Sequence, residues 1–305
     1  MSLLGRDPCV NTTASIHLSF FTASSSILIT IVSSVGNSLV VLAVFLNPNR
    51  HMRTPFYYFV ANLSVADLIV GLITGSISTV YHIFAGLGNK KESLRTVMIV
   101  TFFVSCTVSL LSLTALALER YLAIIHHATY RATLSLVRAF LVLVFVWILS
   151  ILLTVIYFFV QYNIYRFIFA NTALVVTIIV LIFTNAKILR YLRRQMQQWD
   201  DLHENTEENL IMKQLMMWEK KMTNTLLIVI LLFLAFYLPS CVFIYIINLC
   251  TNCDCVFIHW IRDIQFLLVM ANSAVNPFVF PWRLESFRRA FRSIVKCHAR
   301  WNDSE

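Results

Sequence analysis

Apolar residues fall in seven long runs along the chain, at roughly 22–46, 55–84, 94–123, 134–160, 165–192, 214–248 and 258–281. Each run is near the ~20 residues that a helix needs to cross a bilayer. Short segments of alternating polarity, the mark of a membrane barrel, are not the pattern here. Inside lipid every backbone amide must find its partner within the segment, so each run predicts a helix. The expected fold is an all-α membrane protein, a seven-transmembrane helix bundle. Connections between runs are short, with no internal repeat and no soluble domain. The expected division is a tail at 1–21, a bundle at 22–282, and a short amphipathic eighth helix with a terminal tail at 283–305. Asp7, Asn11 and His17 interrupt the first twenty residues, so no cleavable leader is expected there. The first run then acts as its own insertion signal.

The polar residues inside these runs are few, and ionisable groups in a span usually face the bundle interior. Asp67 sits in the middle of the second run. In the third, Ser109 and Arg120 are eleven residues apart, close to three helical turns. They share an inward stripe with Phe102, Cys106, Leu113 and Leu116. The seventh run carries Asn272, Ser273 and Asn276. One carboxylate, two hydroxyls and two amides can thus meet at mid-membrane. That is either an oxygen-rich site for a hard cation or a water-filled cluster that satisfies Asp67 without an ion. Pro239 and Pro277 predict kinks in the sixth and seventh helices, and Pro281 predicts the end of the seventh.

Composition agrees: 59% of the residues are hydrophobic and 13% charged, about half the charged share of soluble domains. The formal charge of +9 invites a nucleic-acid reading, but its distribution excludes one. Arg50, Arg53, Arg131, Arg138, a group from Lys187 to Lys221 and a group from Arg283 to Arg300 all fall on one side of the seven spans. Lys90, Lys91, Arg95, Arg166 and Arg262 fall on the other. The positive-inside rule then predicts a cytoplasmic C-terminus and an outer N-terminus. Asn11-Thr12-Thr13 is a glycosylation acceptor on the predicted outer side. Asn62 and Asn302 match the same tripeptide within a span and in the cytoplasm, where it has no use.

Cys9, Cys250, Cys253 and Cys255 share that outer side, where thiols oxidise. One bridge is expected within the loop, from Cys250 to Cys253 or Cys255, with the spare tied to Cys9. A zinc site in "CTNCDC" is the alternative. Cys106 and Cys241 read as packing residues. Cys297 follows a basic amphipathic stretch and is either palmitoylated or an unmodified thiol.

Ordered motifs carry a resemblance. Gly36-Asn37, "LSVAD" ending at Asp67, Glu119-Arg120-Tyr121, Trp147, "FLAFYLP" with Phe233 and Pro239, and "NPFVF" with Asn276, Pro277 and Phe280 stand on successive spans, and "FRRAF" follows the last. The chain resembles the rhodopsin-like (class A) G-protein-coupled receptors over nearly its whole length. The resemblance implies a plasma-membrane receptor that passes an extracellular signal to a heterotrimeric G-protein by outward movement of helix six. It implies a lock of Arg120 with Glu119 and Glu219 at the cytoplasmic mouth. It also implies an allosteric sodium ion at Asp67, Ser109, Asn272, Ser273 and Asn276, and no other cofactor.

Departures narrow the ligand. The cysteine usual at the top of helix three is replaced by Arg95, the second outer loop is very short, and helix five has no proline. With the cysteine-rich third loop, these features resemble the melanocortin, adenosine, cannabinoid and lysophospholipid branch, and the melanocortin receptors in loop architecture. Those receptors bind peptide with calcium through acids, where this chain has Ile77 and Ile99. Phe102 stands where amine receptors need an aspartate, and Met270 where opsins need a lysine. The usual toggle tryptophan is Tyr237. Phe280 and Asn185 replace the tyrosine pair that bridges through water on activation.

The expected pocket is lined by Phe102, Phe103, Cys106, Tyr237, Cys241, Ile244, Tyr245, Phe266 and Met270, with Arg95, Arg262 and His82 near the rim. Such walls suit a lipid or a small apolar molecule, with a peptide across the rim as the other option. The segment 190–221 should extend helices five and six on either side of an acidic, solvated centre. Two other functions compete. A transporter needs a continuous polar pathway, and only the mid-depth cluster is legible. A receptor fold without signalling, acting as a decoy, fits the Phe280 and Asn185 departures. An enzyme would need paired acids, a Ser–His pair or metal ligands within the spans, and none is read.

Overall fold

The computed structural model describes residues 9, 12–46, 52, 54–126, 135–160, 162–201, 207–250 and 253–302. Among these, seven helices are long and apolar enough to span a membrane, and no strand occurs. The spanning elements are α1 (Ile16–Phe45), α2 (Pro55–Gly86), α3 (Glu92–Ile125) and α4 (Leu136–Val155, extended by a 3₁₀ turn to Phe158). Then come α5 (Tyr162–Phe169, a π turn at Ala170–Leu174, and Val175–Asp201), α6 (Glu207–Leu249) and α7 (Cys255–Arg283). The amphipathic helix α8 is Glu285–Asn302.

The first helix starts at Ile16, six residues before the apolar run suggests. Ser15 caps it, its hydroxyl accepting from the Leu18 amide at 3.2 Å. Ser19, Thr22 and Ser26 hide the start from a hydropathy reading, yet all three are buried, while Phe20, Phe21, Ile27 and Leu28 face outward. A membrane helix can turn polar groups inward when neighbouring helices receive them.

The seventh helix continues to Arg283 rather than stopping at Pro281. A proline removes one amide and frees the carbonyl four residues earlier, which alone does not end a helix that neighbours support. The last carbonyls are received instead by Arg288, whose Nη1 donates to Pro281 O at 3.2 Å and Trp282 O at 2.9 Å.

Within their most apolar windows α2, α3 and α7 are 67% buried, against 28–33% for the other four spans. These three helices form the centre. The outer helices present lipid-facing residues such as Val137, Phe140, Phe145 and Leu152 on α4. The stripe expected on α3, from Phe102 through Cys106, Ser109, Leu113 and Leu116 to Arg120, is buried throughout. Asn11 and residues 202–206 within the acidic centre lie outside the described residues, as does the side chain of Cys297.

Candidate functional site: a polar seam between two mouths

Asp67 is fully buried in α2, just before a π segment at Val70–Gly75. Asn276 Nδ2 donates to Asp67 Oδ2 at 2.9 Å, and Ser109 Oγ lies 3.4 Å from Oδ1. Ser273 is buried three residues before Asn276 on the same helix. Asn272 is buried on the same helix as Asn276, and the Oδ1 atoms of both have no hydrogen-bond partner. The helices are held together here by a carbonyl that proline releases. Pro277 cannot bond the Ser273 carbonyl, which accepts from Asn37 Nδ2 at 3.0 Å and lies 3.4 Å from Ser33 Oγ. Gly36 makes the approach possible, since a Cβ there would come within 2.6 Å of Pro277 Cγ. The Gly36-Asn37 pair is therefore the α1 counterpart of the α7 proline. Among the described residues no group of three His, Cys, Asp or Glu side chains could hold a metal.

At the mouth that carries α8, Arg120 is buried on α3 and donates twice to Glu119, from Nε to Oε2 and from Nη2 to Oε1, each at 2.5 Å. Its Nη1 reaches Glu219 Oε2 of α6 at 3.2 Å. The guanidinium also lies over the Phe56 ring at 4.9 Å. Tyr121 packs against a cluster of Ile124, Ile188 and Leu192 that joins α3 to α5. Tyr57 and Ser286 share a hydrogen bond at 2.8 Å, and Phe280 packs on Phe287, so α8 is tied beneath this mouth.

At the opposite mouth two cavities adjoin, with Phe102 in the wall of both. The outer one has a volume of about 150 Å³. It is lined by ionisable groups: His82, Glu92, Arg95, His259, Arg262 and Asp263. Asp263 accepts from Thr22 Oγ1 at 2.8 Å and lies 3.8 Å from His82 Nδ1. The inner chamber is about 30 Å³ and reaches Phe103, Cys106, Tyr237, Cys241 and Ile244. Tyr237 stacks on Phe233 at 4.2 Å and shares the wall of this chamber with Cys106. Two disulfides brace this end, Cys250–Cys253 within the loop and Cys9–Cys255 from the N-terminal segment to α7.

Comparison with known proteins agrees with this geometry. Residues 36–167 and 160–280 match the family described as 7 transmembrane receptor (rhodopsin family). The chain belongs to that family. It is also similar to melanocortin receptor 4 of Danio rerio, 26% identical over 277 residues, which cover 88% of this chain and 81% of that protein. The chain is thus a signal-transducing receptor of the rhodopsin-like class, multi-pass in the plasma membrane.

Six of the nine expected pocket residues line the inner chamber of the receptor: Phe102, Phe103, Cys106, Tyr237, Cys241 and Ile244. Phe266 lines the outer cavity instead. Tyr245 is 40% exposed, hydrogen-bonds Asn171 Oδ1 of α5, and is in the wall of neither cavity. Met270 is fully buried and borders Gly75, outside the walls of these two cavities. Both follow from a helical phase that apolar residues alone do not reveal. The pocket is also more charged than expected, since Arg166 lies in the inner wall and is buried.

The polar interior of the receptor extends beyond mid-depth. On α1, Ser19, Thr22, Ser26, Thr30, Ser33 and Asn37 recur three or four residues apart, a helical face legible in sequence. Thr22 meets Asp263, Ser26 meets Ser78 at 3.0 Å, and Ser33 Oγ donates to the Asp67 carbonyl at 3.0 Å. Asn62 and Trp147 form another link missed in sequence: Trp147 Nε1 donates to Asn62 Oδ1 at 2.9 Å, and Asn62 Nδ2 to Ser112 Oγ at 2.7 Å.

Proposed function

We propose that the receptor takes its ligand at the N-terminal mouth, outside the cell, and activates a heterotrimeric G-protein at the mouth that carries α8. The observation that carries this reading is the Arg120 guanidinium, held between Glu119 of its own helix and Glu219 of α6. An ion pair across the base of α6 opposes the swing that opens a groove for a G-protein helix. A ligand shifts this equilibrium only by preferring the open bundle. Tyr237 is the relay, because it lines the ligand chamber and stacks on Phe233 one turn nearer the α8 mouth.

A sodium ion at Asp67 would stabilise the closed form. Asp67, Ser109 and Ser273 supply oxygens, and the unpartnered Oδ1 atoms of Asn272 and Asn276 fit the same demand of a hard cation. The calcium and basic peptide suggested by a melanocortin name lack support, since Ile77 and Ile99 stand where acids would be needed. A non-signalling decoy is the second reading. Phe280 has no hydroxyl and is buried against Phe287, so the usual water-bridged tyrosine pair with position 185 cannot form.

The test is nucleotide exchange on a panel of Gα subunits by purified receptor in lipid nanodiscs, with Arg120→Ala as control. Basal or ligand-raised exchange above that of empty nanodiscs, and altered by Arg120→Ala, supports coupling. No exchange on any subunit, with correctly folded receptor and a broad ligand panel, overturns it in favour of the decoy.

A further inference from the structure

Three helices meet at one carboxylate in the wall of the outer cavity. Asp263 of α7 accepts from Thr22 Oγ1 of α1 at 2.8 Å, and its Oδ2 lies 3.8 Å from Nδ1 of His82 on α2. The His82 and Asp263 side chains are only 10% and 15% exposed, yet both line the cavity at the N-terminal mouth. Their contact is about 1 Å longer than a charge-assisted hydrogen bond. A neutral imidazole gains little at that distance. A protonated one donates from both nitrogens and pairs with the carboxylate where solvent screens poorly. The same cavity brings Tyr81 of α2, Lys90 before α3, and Glu92 and Arg95 at the start of α3 around the pair. Tyr162 of α5 and His259 and Arg262 of α7 complete the ionisable wall, and α1 supplies the hydroxyls of Ser19 and Thr22. Imidazole is the side chain whose ordinary titration falls between about pH 5 and pH 8, so the two histidines set how the charge here changes in that range. His259 turns its Nε2 to Thr12 Oγ1 of the N-terminal segment, at 3.0 Å. His82 faces the carboxylate across the gap between α2 and α7.

On its other side α7 is coupled to α6. Gln265 Nε2 donates to Ser240 Oγ at 2.9 Å, beside Pro239. Nearer the mouth, Ile247 of α6 packs with Ile258 and Ile261 of α7, and the cysteines of both disulfides join the same cluster. The outer ends of α6 and α7 therefore move together. A tighter His82–Asp263 contact draws the end of α7 toward α2, and the outer arm of α6 follows it inward. A helix that bends at Pro239 then carries its other arm outward, pulling Glu219 from Arg120.

We infer that the proton is a ligand of this receptor: it binds His82 at the outer mouth, pairs it with Asp263 and, through α7, favours the open arrangement of α6. The stimulus is then acid outside the cell. This deepens the receptor reading and rests on it for the meaning of the movement, while its test needs no G-protein.

A fluorophore on the α8-side end of α6 is followed in receptor nanodiscs from about pH 8 to about pH 5.5, the histidine range, with the melting temperature measured in parallel. One proton linked to opening raises the open-to-closed ratio by at most about tenfold per pH unit, and a rise of about threefold or more over the range is expected. Acid also reaches the α8 mouth in a nanodisc, so the readout is the part of the rise that His82→Gln and Asp263→Asn remove. Each should remove most of it. His82→Arg, charged at every pH used, should hold the ratio near its acid value throughout. The inference is overturned if His82→Gln and Asp263→Asn titrate as wild type does, if acid closes α6 through this pair, or if His259→Gln removes the rise while His82→Gln leaves it. Should His82→Gln fail to fold, Asp263→Asn, which keeps the shape of its side chain, tests the same pair. An acid response of α6 without nucleotide exchange leaves this inference standing and sinks G-protein coupling; exchange with an α6 that ignores pH does the opposite.

Discussion

Replacing Glu219 with Gln removes one of the two carboxylates that hold Arg120, and the structure says how much this should matter. The Glu119 contact is bidentate, and both side chains are 5% exposed or less. It lies within α3, so it persists when α6 moves. The Glu219 contact is single, at 3.2 Å, with the glutamate side chain 29% exposed. Exposed ion pairs contribute about 0.2–1 kcal/mol, whereas breaking a fully buried pair costs about 3–5 kcal/mol. The half-buried geometry places Glu219 just above the exposed range, at about 1–1.4 kcal/mol. Only the closed bundle has this contact, so its loss multiplies the open-to-closed ratio by about five to ten.

The assay is ligand-free nucleotide exchange per surface-normalised receptor. Glu219→Gln should raise the basal rate by about five- to tenfold, and Glu219→Asp, one methylene shorter, should fall between. A fluorophore on the α8-side end of α6 reports the same shift without a G-protein. A baseline within about twofold of wild type in both readouts, with intact folding, would refute the lock and leave Arg120 as a buried anchor of α3.

The remaining predictions concern the seam and the braces. Asp67→Asn should abolish sodium-dependent stabilisation, worth about 1.4 kcal/mol at a sodium concentration about ten times its Kd; melting in sodium against a bulky organic cation is the measurement, and an equal sodium effect in both proteins would exclude Asp67 as a ligand. Gly36→Ala should cost about 1–3 kcal/mol through overpacking, because its methyl would press the rigid Pro277 ring; surface expression and melting temperature report it, and an unshifted melting point would count against close α1–α7 packing. Cys9→Ser with Cys255→Ser should lower stability by up to about 2–4 kcal/mol and blunt the response to reductant, since this bridge ties residues 246 apart in sequence; melting with and without reductant tests it.

How much was legible in the sequence depended on whether a residue's partner lay on the same helix. The seven spans, the α3 stripe and the Arg120–Glu119 pair follow from hydropathy and helical spacing. The Asp67–Asn276 contact needed only the inward rule for ionisable groups. His82 reads as a rim residue, but its partner Asp263 and the nearby His259 do not stand out. Each is alone near the end of its helix, and only the packing of α1, α2 and α7 joins them. The bridge pairing Cys9–Cys255 was one of two arrangements that redox chemistry left open. Arg166 looked like an outer-loop charge, since an apolar run begins around it; the π turn at Ala170–Leu174 changes the helical phase between it and the rest of α5. The hydroxyls of α1 had a clear period but no charge to attract attention.

Those same contacts indicate which element is free to move. The proposed outward swing belongs to α6, and its polar fasteners divide at Pro239. On the N-terminal-mouth side, Ser240 accepts from Gln265 Nε2 of α7 at 2.9 Å, and Tyr245 bonds Asn171 of α5. Both ends of these bonds are neutral, and neither borders the Arg120 site. On the other side, Glu219 faces Arg120, and Lys220 Nζ makes a weak contact of 3.5 Å with Met196 Sδ of α5. Thr223 and Thr225 return their hydroxyls to the α6 backbone and leave neighbouring helices unbound by them. Proline removes an amide at the boundary, so the helix bends there at lower cost than elsewhere. Pivoting about Pro239 breaks the Glu219 contact and the sulfur contact while sparing the bonds above. The Asp67, Asn276 and Asn37 links join α1, α2 and α7 and involve no residue of α6. Since Tyr237 stands two residues from the pivot, a ligand that shifts its ring by a fraction of an ångström acts where the lever arm to Glu219 is longest.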